Sequence, residues 1–192
     1  MKIIFKITAV LFLALFAFSL VQAQQESKPR PSLKAGVSQR IGIDTDITID
    51  FSRPGVKGRK VWGELVPFGL APGNSYSKNN PFPWRGGANE NTTITFSKDV
   101  MIDGNKLAAG KYSLHFIPSE KEWTVIFNKN SALWGSYLYN KDEDALRITV
   151  TPVKAPFEEW LVYGFDNPAG NSAAAFLHWE ELKIPFTVSA VQ

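Results

Sequence analysis

The segment Trp84-Arg85-Gly86-Gly87-Ala88-Asn89-Glu90 brings a planar fork of N–H donors, an indole face and two glycines together within seven residues. Arginine's guanidinium matches carboxylate and phosphate oxygens, an indole stacks on apolar or sugar faces, and glycine lets backbone N–H groups approach a ligand closely. Together they suit a small anionic or glycan-type ligand. The plainer reading is internal: Arg85 pairs with Glu90 or Asp50, Trp84 fills the end of the core, Asn89 bonds its own loop, and the glycines only permit the turn. Arg53-Pro54 and Lys57-Gly58-Arg59 follow a strand ending near Ser52, which places their charges at the same end as Arg85, where they would raise the local potential for anions. Their alternative is a solvated basic loop. Trp62 is a lid over this rim or a plug in the core. The candidate ligand-binding set is therefore Arg53, Arg59, Trp62, Trp84, Arg85, Asn89 and Glu90.

Other chemistries find less support. Two histidines are too few for a zinc site built from His alone, and no spacing with carboxylates completes a ligand set, so no metal and no cofactor is expected. His115 alternates with Tyr112, Leu114 and Phe116 and points outward if strand pairing is regular, whereas His178 shares its side with Phe176 and Glu180. A Ser-His arrangement lacks the G-x-S-x-G elbow or any other nucleophile signature. The acidic runs Asp142-Glu143-Asp144 and Asp44-Thr45-Asp46 lack the spaced oxygens of a calcium loop and read as solvated turns. Catalytic residues cannot be named. The one enzymatic arrangement the residues allow is a hydrolase in which Glu90 is acid or base beside Arg85.

Strands must position these residues. Ile47, Ile49 and Phe51 alternate with Asp46, Thr48 and Asp50; Leu146, Ile148 and Val150 alternate with Arg147, Thr149 and Thr151. The same period runs through Ile94 and Phe96, Tyr112 to Phe116, Trp123 to Phe127, and Ile184 to Val188. Trp160 to Phe165 and Ala173 to Trp179 are apolar on both faces, as in central strands covered on both sides or strands whose second face meets a loop or partner. Turn signals such as Asp103-Gly104 and Asn167-Pro168-Ala169-Gly170 recur at short intervals. Nine or ten strands fit, and no amphipathic helix is evident beyond a turn or two over Ser131 to Tyr139. The expected class is all-β, an antiparallel two-sheet β-sandwich with a long irregular insertion; a β-barrel is the runner-up. That insertion, between Ser52 and Thr92, holds seven glycines and five prolines but also three Arg and two Trp, so it is expected to be ordered and functional.

Lys2 and Lys6, the apolar run Ile7 to Val21 and the exit Val21-Gln22-Ala23 have the form of a cleavable secretory leader. The run is shorter than the roughly 20 residues of a spanning helix, so no stable membrane span is expected once cleavage near Ala23 has occurred. Residues 1–23 are thus read as a signal peptide, 24–35 as a flexible tether, and 36–192 as a single β-sandwich domain. Removing 23 of 192 residues leaves 169, enough to bury one core. Two of the 21 basic residues leave with the leader, and the remaining 19 against 18 acidic residues make nucleic acid an unlikely partner. Cysteine is absent, which removes disulfides, thiol catalysis and a lipid-bearing Cys. The expected location is periplasmic or secreted.

Phe51-Ser52-Arg53-Pro54, Lys57-Gly58-Arg59, Trp62-Gly63, Leu65 to Gly69 and Trp84 to Glu90 resemble a family of exported bacterial proteins catalogued as a domain of unknown function, DUF2911. The resemblance continues through Ala109 to Leu114, Trp123 to Asn128, Trp134-Gly135 and Leu146 to Ile148. It implies an exported all-β domain with no established activity. The stretch Leu70 to Pro83 is longer than the join the resemblance leads one to expect. Two non-catalytic functions stand beside the enzyme: capture of a small anionic or glycan-type ligand, and a structural or assembly role in the cell envelope with a protein partner.

Overall fold

Period-two alternation drives one row of side chains from each strand into the dry space between two sheets. The computed structural model describes residues 28–191; the expected leader, 1–23, and the first residues of the tether lie outside them. The described residues from Pro31 onward form one compact unit. Within it lie ten strands: β1 (Leu33–Ile41), β2 (Thr45–Arg53), β3 (Thr92–Phe96), β4 (Val100–Ile102), β5 (Asn105–Leu107), β6 (Gly110–Ile117), β7 (Trp123–Asn128), β8 (Asp144–Val150), β9 (Val153–Ala169) and β10 (Ser172–Ala190). One sheet has the order β1-β2-β3-β6-β7-β8 and the other β5-β4-β10-β9, antiparallel throughout. Both sheets keep free edges, so the architecture is a sandwich and the barrel is set aside. β1 begins at Leu33, inside the stretch expected to be tether, because residues 33–35 already pair with Phe51–Arg53 of β2.

Ile47, Ile49, Ile94, Leu114, Phe116, Val125 and Phe127 form the inner row of the six-stranded sheet and meet Leu161, Ala175, Leu177, Ile184 and Phe186 of the other. Aromatic pairs cross the gap: Phe51 meets Tyr163 at 4.9 Å and Phe127 meets Phe186 at 5.7 Å, both edge-on. Among the described residues no helix is long and apolar enough to cross a membrane.

Of the two doubly apolar runs, the one in β10 pairs with β9, whereas β4 meets β10 only farther on, at Val188–Ala190; the one in β9 lies at a sheet edge rather than centrally. A loop meets it there. The start of the insertion docks along that edge, with Val56 N–H donating to Glu159 O at 2.9 Å and Leu161 N–H to Pro54 O at 3.0 Å. β10 is not straight either. Nineteen residues extended would span roughly 60 Å, yet Ala190 N–H donates to Asn171 O at 2.8 Å and Lys183 pairs with Asp166 at 2.8 Å. The strand therefore doubles back at its irregular register around Glu180, a residue with φ of 56°.

Candidate functional site

The insertion is ordered because backbone hydrogen bonds fasten it at intervals. Besides its start on β9, Gly69 N–H reaches Pro118 O at 2.7 Å, and Trp84 and Phe116 exchange two bonds of 2.8 Å each, adding Trp84 to β6. The stretch Leu70 to Pro83 closes on itself through an Ala71–Phe82 bridge, with a single 3-10 turn at Ser75–Ser77 capped by Asn74. Its ends carry Ala71, Phe82 and Pro83 to the wall of a cleft of about 440 Å³. This volume lies within the range of small-molecule sites.

Trp84, Arg85, Asn89 and Arg59 line that cleft. Gly86 seats the loop that carries Arg85. Its φ is +62°, and a Cβ there would stand 2.5 Å from both the Phe116 ring and Tyr163 Oη, so only glycine lets the loop sink this far. Gly86 O in turn accepts from Tyr163 Oη at 2.8 Å and Thr92 Oγ1 at 3.1 Å. Burial pushes the Tyr163 phenol well above its ordinary pKa, which keeps it a neutral donor. Here glycine serves packing against the sandwich rather than a close approach to ligand.

The guanidinium of Arg85 donates through Nη1 to Asn89 O, and its carbon stands 4.8 Å from the centre of the Tyr137 ring. Gly135, with φ of +62°, lies flat against it; a methyl group there would collide with the guanidinium. Arg59 forks onto its own loop, Nε to Val56 O at 3.0 Å and Nη2 to Gly55 O at 2.6 Å. Both arginines are held by neutral carbonyls. Among the described residues neither has an ion-pair partner, so their positive charges are oriented but not neutralised.

Three expected residues fall elsewhere. Arg53 donates to Leu161 O at 3.0 Å and Trp160 O at 3.4 Å, and lines a separate groove with Leu33 and Trp160. Glu90 sits 3.3 Å from Lys34 Nζ and accepts from Ser52 Oγ at 3.3 Å, in a groove shared with Asp50 and Lys111. Asn89 just before it has φ of 60°, a left-handed kink that separates Glu90 from the cleft. Trp62 packs edge-on against Trp123 at 4.9 Å and against Trp84 and Trp179 at 5.8 Å each. It is a core plug, and its buried Nε1 has no hydrogen-bond partner; aromatic faces surround it.

Sequence reasoning missed the cleft's floor. Trp179 of β10 lies there, nearly parallel to Trp84 at 17° and 6.1 Å, with Nε1 donating to Glu159 O at 3.2 Å. Its doubly apolar run was a signal of burial, but only topology brings it beneath residue 84.

His115 does not face water. It is fully buried under the segment between β7 and β8, which lies over the outer face of β6 and β7. Its Nδ1 is 3.1 Å from Ser136 Oγ, its ring 5.5 Å from that of Tyr139, and its Nε2 has no partner. Burial lowers its pKa to about 4. The acidic run is equally internal at its end: Asp144 accepts from Tyr139 Oη at 2.7 Å, Asn128 Nδ2 at 2.8 Å and Arg147 Nε at 2.6 Å. Burial and the Asp144 bond hold the Tyr139 phenol protonated. Among the described residues no group of three or more potential metal ligands converges.

No curated protein matches the chain, and no solved structure matches it either. Residues 32–188, nearly the whole of the sandwich with its insertion and cleft, match the family model described as a protein of unknown function, DUF2911, and the chain belongs to that family.

Proposed function

We propose that this protein is exported, loses residues 1–23, and captures a small anionic or glycan-type ligand in the cleft lined by Arg59, Arg85, Trp84 and Trp179. One observation carries the reading: two guanidinium groups held by carbonyls, with no carboxylate partner among the described residues, share a cleft with two near-parallel indoles. Arginines held in this way have donors preset for an anion, and the half-buried Trp84, backed by the buried Trp179, offers an apolar face to the ligand body. Calorimetric titration of the purified protein with inorganic phosphate, glucuronate and neutral glucose tests it. Binding of the acids that Arg85→Ala weakens is the expected result; heats indistinguishable from buffer for every probe would remove the proposal. N-terminal sequencing of the cell-free fraction tests export, with Gln24 expected as the first residue.

A role in envelope assembly is the second reading, favoured by Tyr76, Trp134 and Leu138, which are 73%, 62% and 57% exposed. Crosslinking in intact cells separates the two, because recovery of monomer alone counts against a stable partner. For hydrolysis by Glu90 beside Arg85 the arrangement offers no support, since Glu90 faces the groove of Lys34 and Ser52.

A further inference from the structure

The segment from Lys129 to Glu143 contributes nothing to the lining of the cleft, yet two of its residues hold the cleft's central cation. Gly135 lies against the guanidinium of Arg85 and Tyr137 stacks on it. Tyr137 is itself packed by Phe82 at 5.1 Å and Tyr76 at 5.5 Å, both from the insertion. The segment is anchored beneath by polar groups: Asn128 Nδ2 to Asn140 O at 2.9 Å, Ser113 Oγ to Asn130 O at 2.5 Å, and the buried Ser136–His115 contact next to Gly135.

We propose that this segment is a positioning clamp for Arg85, and that uptake of a proton by His115 releases it. The purpose of the clamp rests on the ligand-binding reading of the cleft; its geometry does not. Neutral imidazole needs one acceptor and one donor partner, and Ser136 Oγ serves either role. Imidazolium carries two N–H donors and meets one oxygen, leaving Nε2–H buried without an acceptor.

The neighbouring charges do not rescue it. Asp144 attracts a charged His115, but its carboxylate already receives Arg147, Tyr139 and Asn128. Arg85 repels it, and Tyr139 is held neutral. On the strand side His115 is paired with Ile126, which carries no charge, and Ser113 two residues away is engaged by Asn91 and Asn130. The segment, which joins the sandwich through loop hydrogen bonds rather than a ladder, is the part able to move away and admit water. Lifting it takes Gly135 and Tyr137 off the guanidinium together.

The experiment uses the ligand-free protein, so its outcome does not depend on whether any anion binds. Hydrogen-exchange protection factors of residues 129–143 and the Nη resonances of Arg85, assigned with Arg85→Lys, are followed from pH 7.5 to pH 4.5. Protection is expected to fall about tenfold per pH unit once the pH is below about 6.5, while β2, β3 and β10 stay protected. The Arg85 Nη signals, separate while rotation is restricted, should average together over the same range. His115→Gln and His115→Phe should each flatten both profiles. Protection independent of pH, pH dependence that survives both substitutions, or opening of the segment without averaging at Arg85 would each overturn the proposal. Loss of phosphate and glucuronate binding in the companion titration bears on the cleft's function alone.

Discussion

The cations at the start of β2 and the two cleft arginines beyond its far end are held in opposite ways. At its beginning, Arg40 meets Asp46 with two bonds of 2.7 Å, Lys98 pairs with Asp44 at 2.5 Å, and Lys106 pairs with Asp99 at 3.1 Å. At its far end, the insertion carries Arg59 and Arg85 to carbonyl oxygens instead. A carboxylate partner cancels the field of a cation; a carbonyl aims the guanidinium and leaves its charge in place. The first end contains both signs in comparable number and offers an incoming ion little net pull, whereas the second is prepared for one.

Lifting the second end off the sandwich is the severest way to break this contrast. Gly86→Ala adds a Cβ where Phe116 and Tyr163 already stand at 2.5 Å and demands a left-handed alanine. A loss of about 4 kcal/mol is expected from strain and overpacking, read as a shift of the urea midpoint. Acidification sharpens the contrast next. His115 takes up protons near 6.5 when exposed but only near 4 when folded, so stability is complete above 6.5, falls between 6.5 and about 4, and levels off below. That loss is expected to be about 3 kcal/mol in denaturation curves at pH 7 and pH 4. Asp46, held below its ordinary pKa by the Arg40 bond, and Asp99, held down by Ala109 N–H and then Lys106, answer in a different window. Their contribution persists until the pH falls below about 3.8. Amides around Asp46 should therefore keep their protection while those of the Lys129 to Glu143 segment lose theirs.

Removing single cations comes third. Arg85→Ala is expected to weaken acid binding in calorimetry by roughly tenfold to a hundredfold, the worth of a charge-assisted pair. Arg40→Ala should leave it unchanged. Asp46→Asn gives the smallest effect, a melting temperature indistinguishable from the parent, because an exposed pair contributes little.

Period two in Ile47, Ile49 and Phe51 was enough to assign a face, and the mixture of Trp, Arg and Gly in the insertion was enough to expect order. Flanking a strand end is reason to expect Arg53, Arg59 and Arg85 at one rim, and Arg59 and Arg85 do share a cleft, but Arg53 turns instead to the carbonyls of Trp160 and Leu161. What alternation cannot say is what covers the second face. His115 was placed correctly on the outer side of β6, yet the segment that buries it joins β7 to β8 and carries no regular pattern. Glu90 is turned away from the cleft by the left-handed residue just before it, Asn89, whose φ is not written in composition. Trp179, nearly a hundred positions from Trp84, reaches the same cleft through strand order and the doubling back of β10, a long-range outcome that no local window contains.

That doubling back governs how the molecule is best attached to something else. Ala190 is tied to Asn171 and, with Val191, borders the same hollow as Gly42, Asp44 and Lys98. Any label, affinity handle or natural extension joined beyond residue 191 therefore departs from the salt-bridged pole. A sensor chip coupled through that point would hold the protein by its electrically quiet side and turn the arginine pole toward the flow.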